Sequence, residues 1–345
     1  MAPFSSYEHL LRLTTLFVVG ATLFLGAREL LVPADYGLLG PYRASALAQN
    51  QAKPIVFAGQ LACVDCHTDV AALRKGNAHE RISCESCHGA LNMPPPDRRT
   101  FLLETGKLLV MTAAASAAWD YVIAGEPEKT PDYDAAAHWW AMIIDIDKCI
   151  GCGLCVRACK TENGVSLDAD CFRTWVERYE IDPDDPEHPL VSSPNGGYDG
   201  FAPVTKDGVK TFFVPKLCNQ CADSPCVQVC PVGATFQTPD GVVLVDKEYC
   251  LGCRYCVQAC PYGCRYIDPQ TNTADKCTLC YHRITRGLKT ACVEVCPTGA
   301  RYLGDLKDPT DPIHEYLRTH KVHVLKPQMA THPKTFYNGL DGAVR

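Results

Sequence analysis

Residues 250–261 read CLGCRYCVQACP. Four cysteines fall at spacing C-x2-C-x2-C-x3-C, and proline follows the last. Three thiolates from one tight loop can wrap one side of a four-iron cubane, with Gly252 easing the turn. The fourth opens a segment that points away, so it serves a neighbouring cluster. Pro261 then fixes the exit turn. A run of zinc knuckles would use separated pairs instead.

Three further packs repeat the theme, and repetition is itself a signal. The first is Cys149, Cys152, Cys155 and Cys159, with Gly151 and Gly153 as small residues in the loop. The second is Cys218, Cys221, Cys226 and Cys230, then Pro231; the fourth is Cys277, Cys280, Cys292 and Cys296, then Pro297. The second and third packs are neighbours in sequence with a strand-like VVLVD between them, and the first and fourth lie outside them. That order predicts nesting: second paired with third, first with fourth. Cys171 and Cys264 are left over and read as buried free thiols.

With these packs on the page, the chain resembles a known family. IDIDKCIGCGLCVRACKTENGV, FRTWVERYE, CNQCADSPCVQVCPVGATF, VDKEYCLGCRYCVQACPYG, DKCTLCYHRI and CVEVCPTGA are similar to the four-cluster iron–sulfur subunit of complex iron–sulfur molybdoenzymes. Formate dehydrogenase-N, polysulfide reductase and dimethyl sulfoxide reductase carry such subunits, as do some membrane-linked nickel–iron hydrogenases. The resemblance covers about residues 142–340, including KPQMATHPKTFYNGLD. It implies four [4Fe–4S] clusters. Cys149, Cys152, Cys155 and Cys296 would hold one, and Cys159, Cys277, Cys280 and Cys292 its pair. Cys218, Cys221, Cys226 and Cys260 would hold a third, and Cys230, Cys250, Cys253 and Cys256 the fourth. It also implies a molybdopterin or nickel–iron catalytic subunit and a multi-span quinone-binding membrane protein or cytochrome as partners. One departure is Lys160, where a ferredoxin run has proline. Exported relatives usually travel by a twin-arginine signal, alone or with a partner; no Arg pair stands near this N-terminus.

Residues 63–89, CVDCHTDVAALRKGNAHERISCESCHG, lie outside the resemblance. Cys63, Cys66, Cys84 and Cys87 form C-x2-C-x17-C-x2-C, which suits a zinc ribbon. A His follows each pair, however, at His67 and His88. C-x-x-C-H is the attachment signature of c-type haem, whose iron takes that His as axial ligand. Two covalent haems are therefore expected, with zinc as the alternative. His79 is expected as a distal ligand for one haem; His138 is a weaker choice for the other, alongside Met93, Met111, His9 or a partner's His.

At 345 residues with 22 cysteines and net charge −6, the chain has room for two or three small domains. The cysteines are packed in groups, unlike a small secreted disulfide scaffold. The charge points to no nucleic-acid partner. Leu13–Ala27 is uncharged between Arg12 and Arg28; extended to Val32 it reaches about twenty residues, enough to span hydrocarbon. The uncharged core alone also suits a signal peptide, with Ala46-Leu47-Ala48 a late cleavage site. Covalent haem attachment takes place outside the cytoplasm, so the bulk is expected on the periplasmic side of a bacterial cytoplasmic membrane.

The expected architecture is α+β: nested tandem bacterial-ferredoxin-like domains binding four cubanes, preceded by one transmembrane helix and a small, mostly irregular or helical dihaem domain. The expected boundaries are an anchor at 1–33, the dihaem segment at 34–100, a helix and linker at 101–138, the four-cluster domain at 139–335 and a tail at 336–345. Residues 138–145 read as a strand and 181–200 as a loop. No nucleophile arrangement, phosphate loop or hydride site is visible. The expected function is one-electron transfer in a respiratory complex, with the catalytic site on another chain.

Overall fold

A computed structural model of the protein describes residues 5–59, 63–64, 68–76, 82–88, 133–167 and 170–344. The helix and linker expected at 101–138 are described only from Tyr133 onward, and Cys66, His67, His79, Met93 and Met111 lie outside the described residues. The chain divides into two compact units, Met1–Ala48 and Gln49–Arg345.

The first unit is dominated by α1 (Ser5–Leu31). Its window Leu11–Arg28 has mean hydropathy 1.4, and no part of that window is buried within the protein. Thr14, Thr15 and Thr22 return their hydroxyls to the carbonyls of Leu11, Leu11 and Val18, at 2.9, 2.8 and 2.8 Å. Such back-bonding satisfies a polar group that apolar surroundings would otherwise leave stranded. The helix is thus long and apolar enough to cross a membrane. Below it the Asp35 carboxylate accepts from Ser45 N at 2.7 Å and sets the start of α2 (Ala44–Gln51).

In the second unit, the short helix α3 (Thr68–Arg74) lies between the two N-terminal cysteine pairs, and α4 (Cys84–His88) carries the second pair. The larger part is built on β1 (Trp140–Asp145). Its apolar run is buried from Ala141 onward, as a central strand requires. It pairs in parallel with β11 (Thr335–Asn338) and antiparallel with β9 (Arg301–Asp305). With β10 (Val322–His323) the sheet order is β10-β11-β1-β9. The sheet runs to Asn338, past the boundary expected at 335, because β11 supplies one whole edge of β1. Helix α10 (Pro312–Thr319) is capped by the Asp311 side chain, which accepts from Ile313 N at 2.8 Å, and seats Ile313 on Ala141 and Ile143.

A second sheet has the order β3-β2-β4, from β2 (Thr174–Asp182), β3 (Asp185–Ser192) and β4 (Lys210–Leu217). Here the loop expected over 181–200 is corrected. Residues 185–192 form an edge strand, with Tyr179 opposite Val191 and Glu180 opposite Leu190. Its Asp, Glu and Pro content misled because an exposed edge tolerates those residues and uses them to block further pairing. VVLVD does form a strand, β6 (Val243–Val245), paired with β5 (Thr235–Gln237). A two-residue pair, β7 (Tyr266–Ile267) with β8 (Ala274–Asp275), completes the strands among the described residues.

The helices of the cysteine packs are short. They are α5 (Leu154–Glu162), α6 (Pro225–Gln228), α7 (Tyr255–Ala259), α8 (Tyr281–Ile284) and α9 (Ala291–Glu294). Ala158 of α5 meets Ala291 of α9 and Val295 in one buried cluster, which joins the first pack to the fourth.

Candidate electron-transfer centres

Each pack turns on one backbone device. The residue before its second cysteine is left-handed: Gly151 at φ +69°, Gln220 at +46°, Gly252 at +68° and Leu279 at +51°. Alternating right- and left-handed residues turn successive N–H groups inward, a concavity that suits anionic groups such as iron–sulfur clusters. Close approach adds to the demand at two positions. A Cβ on Gly151 would sit 2.4 Å from the Phe213 ring, and one on Gly252 2.4 Å from the Asn272 carbonyl.

Two cavities follow from the nesting. Cys149, Cys152, Cys155 and Cys296 line one, with Arg301 at its wall. Cys159, Cys277, Cys280 and Cys292 line the other, with Arg173 and Asn163. Cysteines from the two ends of the domain are thus brought together in the combination that the family pattern implies. Cys218, Cys221, Cys226 and Cys260 also gather: burial pushes the Cys221 thiol up to about 11, helped by the charges of Cys218, Cys226 and Cys260 beside it. For the remaining set, Cys250 and Cys256 share a core with Cys226 and Val243. Cys230 accepts from Thr235 N at 3.4 Å, Cys250 from Ala274 N at 3.4 Å, and Cys253 is exposed.

The described cysteines are all free of disulfides. Nor does any group of three or more His, Cys, Asp or Glu among the described residues close on a single ion. Four thiols around one cavity are the donor set of a cubane.

The walls supply the matching charge. Arg301 is buried; its Nη2 donates to Thr174 Oγ1 at 2.9 Å, while Nη1 has no hydrogen-bond partner. A buried guanidinium N–H without an acceptor is costly, and a dianionic cluster in the cavity beside it would satisfy it. Arg265 Nη2 donates to Cys226 Sγ at 3.0 Å, and Asn163 Nδ2 to Cys159 and Cys280 at 3.6 and 3.8 Å. Arg173 grips Asp275 at 3.0 Å and Asn163 Oδ1 at 2.8 Å, which orients that amide. The cysteine donors and these cations fit iron–sulfur clusters.

Sequence reading missed these cations, although a signal was available. Arg265 and Arg301 each stand five residues after the last cysteine of a pack, in CPYGCRY and CPTGARY. Of the leftover thiols, Cys264 is buried and donates to Leu217 O at 3.0 Å, and Cys171 is half-buried.

In the N-terminal cysteine region Cys63 and Cys84 meet. The Cys63 thiol is pushed up to about 11, by burial first and then by Cys84 beside it. Arg74 Nη1 donates to Cys84 Sγ at 3.0 Å. Glu85, within the second pair, is 2% exposed. His88 is exposed at the end of α4; the Cys87 side chain lies outside the description. His138 is stacked between Tyr133 and Trp140, with centroids 5.0 and 5.1 Å away, and its Nδ1 meets Asp305 Oδ2 at 2.6 Å.

Comparison with known proteins covers this same domain. A family described as a 4Fe-4S dicluster domain matches residues 148–234, and a second of the same description matches 209–306. A tetrathionate reductase subunit of Salmonella typhimurium is 43% identical over 208 residues, 60% of this chain and 74% of the relative. A polysulfide reductase polypeptide of Wolinella succinogenes is 36% identical, over 58% of this chain and 94% of its own length. The Hdr-like menaquinol oxidoreductase iron-sulfur subunit 1 of Archaeoglobus fulgidus is 33% identical, over 71% of this chain and 98% of its own length. Paired cavities ringed by cysteine, buried cations at their walls and these relatives converge: the protein belongs to the 4Fe–4S ferredoxin-type subunits of the complex iron–sulfur molybdoenzyme family, the iron–sulfur electron-transfer subunits of reductase complexes.

Proposed function

We propose that the protein passes single electrons through four [4Fe–4S] clusters and two covalent c-type haems, between a molybdopterin or nickel–iron catalytic subunit and a quinone-binding membrane partner or cytochrome. The observation that carries this reading is the gathering of cysteines from the first and fourth packs around two adjoining cavities. The ligand sets are those given above: Cys149, Cys152, Cys155 and Cys296; Cys159, Cys277, Cys280 and Cys292; Cys218, Cys221, Cys226 and Cys260; and Cys230, Cys250, Cys253 and Cys256. Each cluster, when bound, supplies a one-electron couple. The protein's own residues set its level. Donors to sulfur such as Asn163 and Arg265 favour the more negative, reduced state and raise the potential. Burial of Cys155, Cys159, Cys277, Cys280 and Cys292 keeps water from their sulfurs.

In this reading α1 is a single-pass anchor and the bulk faces the periplasm. Cys63 and Cys66 bond one haem with His67 as ligand, Cys84 and Cys87 the other with His88, and His79 or His138 serves as a distal ligand. A second reading, a zinc site on the four N-terminal thiols, is favoured by one observation, the contact of Cys63 with Cys84. A haem stain on a denaturing gel with metal analysis separates the two. The expected outcome is two covalent haems and about sixteen cluster irons. Zinc with no covalent haem ends the haem reading.

A further inference from the structure

Residues 53–59 have no regular structure, yet they are held almost throughout. The Lys53 carbonyl accepts from Arg286 Nη1 at 3.2 Å. Val56 N and Phe57 N donate to Glu162 Oε2 at 3.2 and 2.8 Å. Arg283 Nη1 donates to the Phe57 carbonyl and lies 3.3 Å from Glu162 Oε1, which also receives His282 Nε2 at 2.8 Å. The Phe57 ring is 5% exposed and packs with Ala158, Cys280, Ala291 and Val295. Ala58 N and Gly59 N then donate to the two oxygens of Glu85, each at 2.8 Å. Finally, the Cys63 thiol reaches the Gly59 carbonyl at 3.9 Å.

Ordering an irregular strap costs about 1–2 kcal/mol per residue, so it is held only where burial and hydrogen bonds offset that cost. Here they do so at one place. The strap starts on α5 and α8, beside Cys159 and Cys280, and ends between Cys63 and Cys84. A Cβ on Gly59 would lie 3.5 Å from Glu294, two residues from Cys292. The Cys159 cavity is also the middle one. Gln220, from the Cys218 set, donates to the Cys277 carbonyl at 2.9 Å. Arg301, from the Cys149 cavity, donates to Thr174, which lines the Cys159 cavity.

We propose that this strap is an electron junction: the haem bonded at Cys84 exchanges electrons with the cluster of Cys159, Cys277, Cys280 and Cys292, and the haem segment branches from the middle of the wire. The proposal rests on the haem reading above. In one direction ferrous haem iron becomes ferric and the cluster gains one electron; the reverse step balances in the same way, and no atom is transferred. Phe57 packs on Cys280 and the strap backbone reaches Glu85, the residue after Cys84, so these residues would lie on the path and keep water from it.

The test uses the full-length holoprotein, with covalent haem established by its retention on a denaturing gel. Microwave-power saturation of the ferric haem signal is followed in frozen samples poised at stepped potentials. A neighbouring cluster that becomes paramagnetic speeds haem relaxation, so the step in saturation reports the potential of the nearest cluster. Asn163→Leu removes the amide donor to Cys159 and Cys280 and lowers that cluster's potential. The haem step should move down by the same amount as the cluster's own signal. Arg265→Gln, at Cys226, should move another cluster's signal and leave the haem step in place. A haem step that ignores Asn163→Leu and follows Arg265→Gln overturns the proposal with the haem reading intact. Absence of covalent haem overturns both. The docking is read separately: with the iron count retained, Phe57→Ala should speed amide exchange over 55–59 by about a hundredfold or more. Unchanged exchange in that variant also overturns the proposal.

Discussion

Cys149–Cys159 and Cys250–Cys260 carry the same cysteine spacing, yet α5 runs nine residues through Cys159 to Glu162, while α7 runs five and stops at Ala259. The residue after the last cysteine explains the difference. Pro261 cannot continue a helix, and the chain turns at once, with Gly263 at φ +64° donating to the Cys260 carbonyl at 3.4 Å. Lys160 lets the helix continue. It is buried, donates from Nζ to Ser166 O at 2.9 Å and lies over the Phe172 ring at 4.2 Å. The extra turn carries Glu162, the acceptor that holds the strap. A departure from the usual motif in one of two otherwise equivalent packs is thus where the N-terminal cysteine region attaches.

The largest effects test what the two packs share. Because the last cysteine is expected to serve its neighbour, Cys159→Ser should disturb the cluster of Cys277, Cys280 and Cys292. Cys260→Ser should disturb that of Cys218, Cys221 and Cys226. In each case the cluster irons should fall from about sixteen to about twelve, with the spectral loss confined to that neighbour. Loss confined to the cluster of Cys149, Cys152 and Cys155 in Cys159→Ser breaks the nested pairing.

Next come the residues that make the packs differ. Glu162→Ala leaves Arg283 buried without its carboxylate, at an expected cost of about 3–5 kcal/mol. Lys160→Pro removes a helical hydrogen bond and displaces Glu162, for about 3 kcal/mol. Denaturant unfolding checks both. If Lys160→Pro proves neutral, the extra turn is not what holds the strap.

Cysteine spacing and order made the nesting legible, because short loops limit which thiols can wrap one cluster, whereas the ligand sets came from the family resemblance. The apolar runs of β1 and β6 were equally plain. The strap was not legible: Phe57 and Glu162 are distant in sequence, and nothing in KPIVFAG marks it as a partner of α5. Edge strand β3 reads as loop in the sequence because its pairing comes from β2 and its own composition opposes it. The wall cations escaped because one Arg after a glycine turn looks like any surface Arg until burial is known.

Acid should sharpen the comparison further, since the first pack holds the strap through a carboxylate. Burial alone would raise the Glu162 pKa, but the His282 hydrogen bond, the Arg283 charge and the Phe57 N–H outweigh it and hold it below its ordinary value. A lowered carboxylate pKa contributes stability that is complete above about pH 4.3 and is lost as pH falls through the folded value. Amide protection of Val56 and Phe57 should therefore fail in that acid window before protection of β1 does. Protection that fails together in both breaks the assignment.

The smallest effect concerns the residue after the second cysteine in the same two packs. Gly153 and Arg254 occupy equivalent left-handed positions, at φ +71° and +67°. A Cβ on Gly153 would stand 2.3 Å from the Gly197 carbonyl, a backbone atom that cannot swing aside. Arg254 tolerates the same φ because its own Cβ is accommodated. A left-handed non-glycine residue costs about 1–2 kcal/mol, and glycine loses about 0.5–1 kcal/mol more entropy on folding. Arg254→Gly should therefore stabilise by about 0.5–1 kcal/mol, the difference between those terms. Gly153→Ala must meet the same backbone penalty together with the clash, and should destabilise by more than Arg254→Gly stabilises. Opposite signs in paired denaturant curves are the expected result. If Gly153→Ala is as mild as its counterpart, space around the two loops is alike, and only the residue after the last cysteine sets the packs apart.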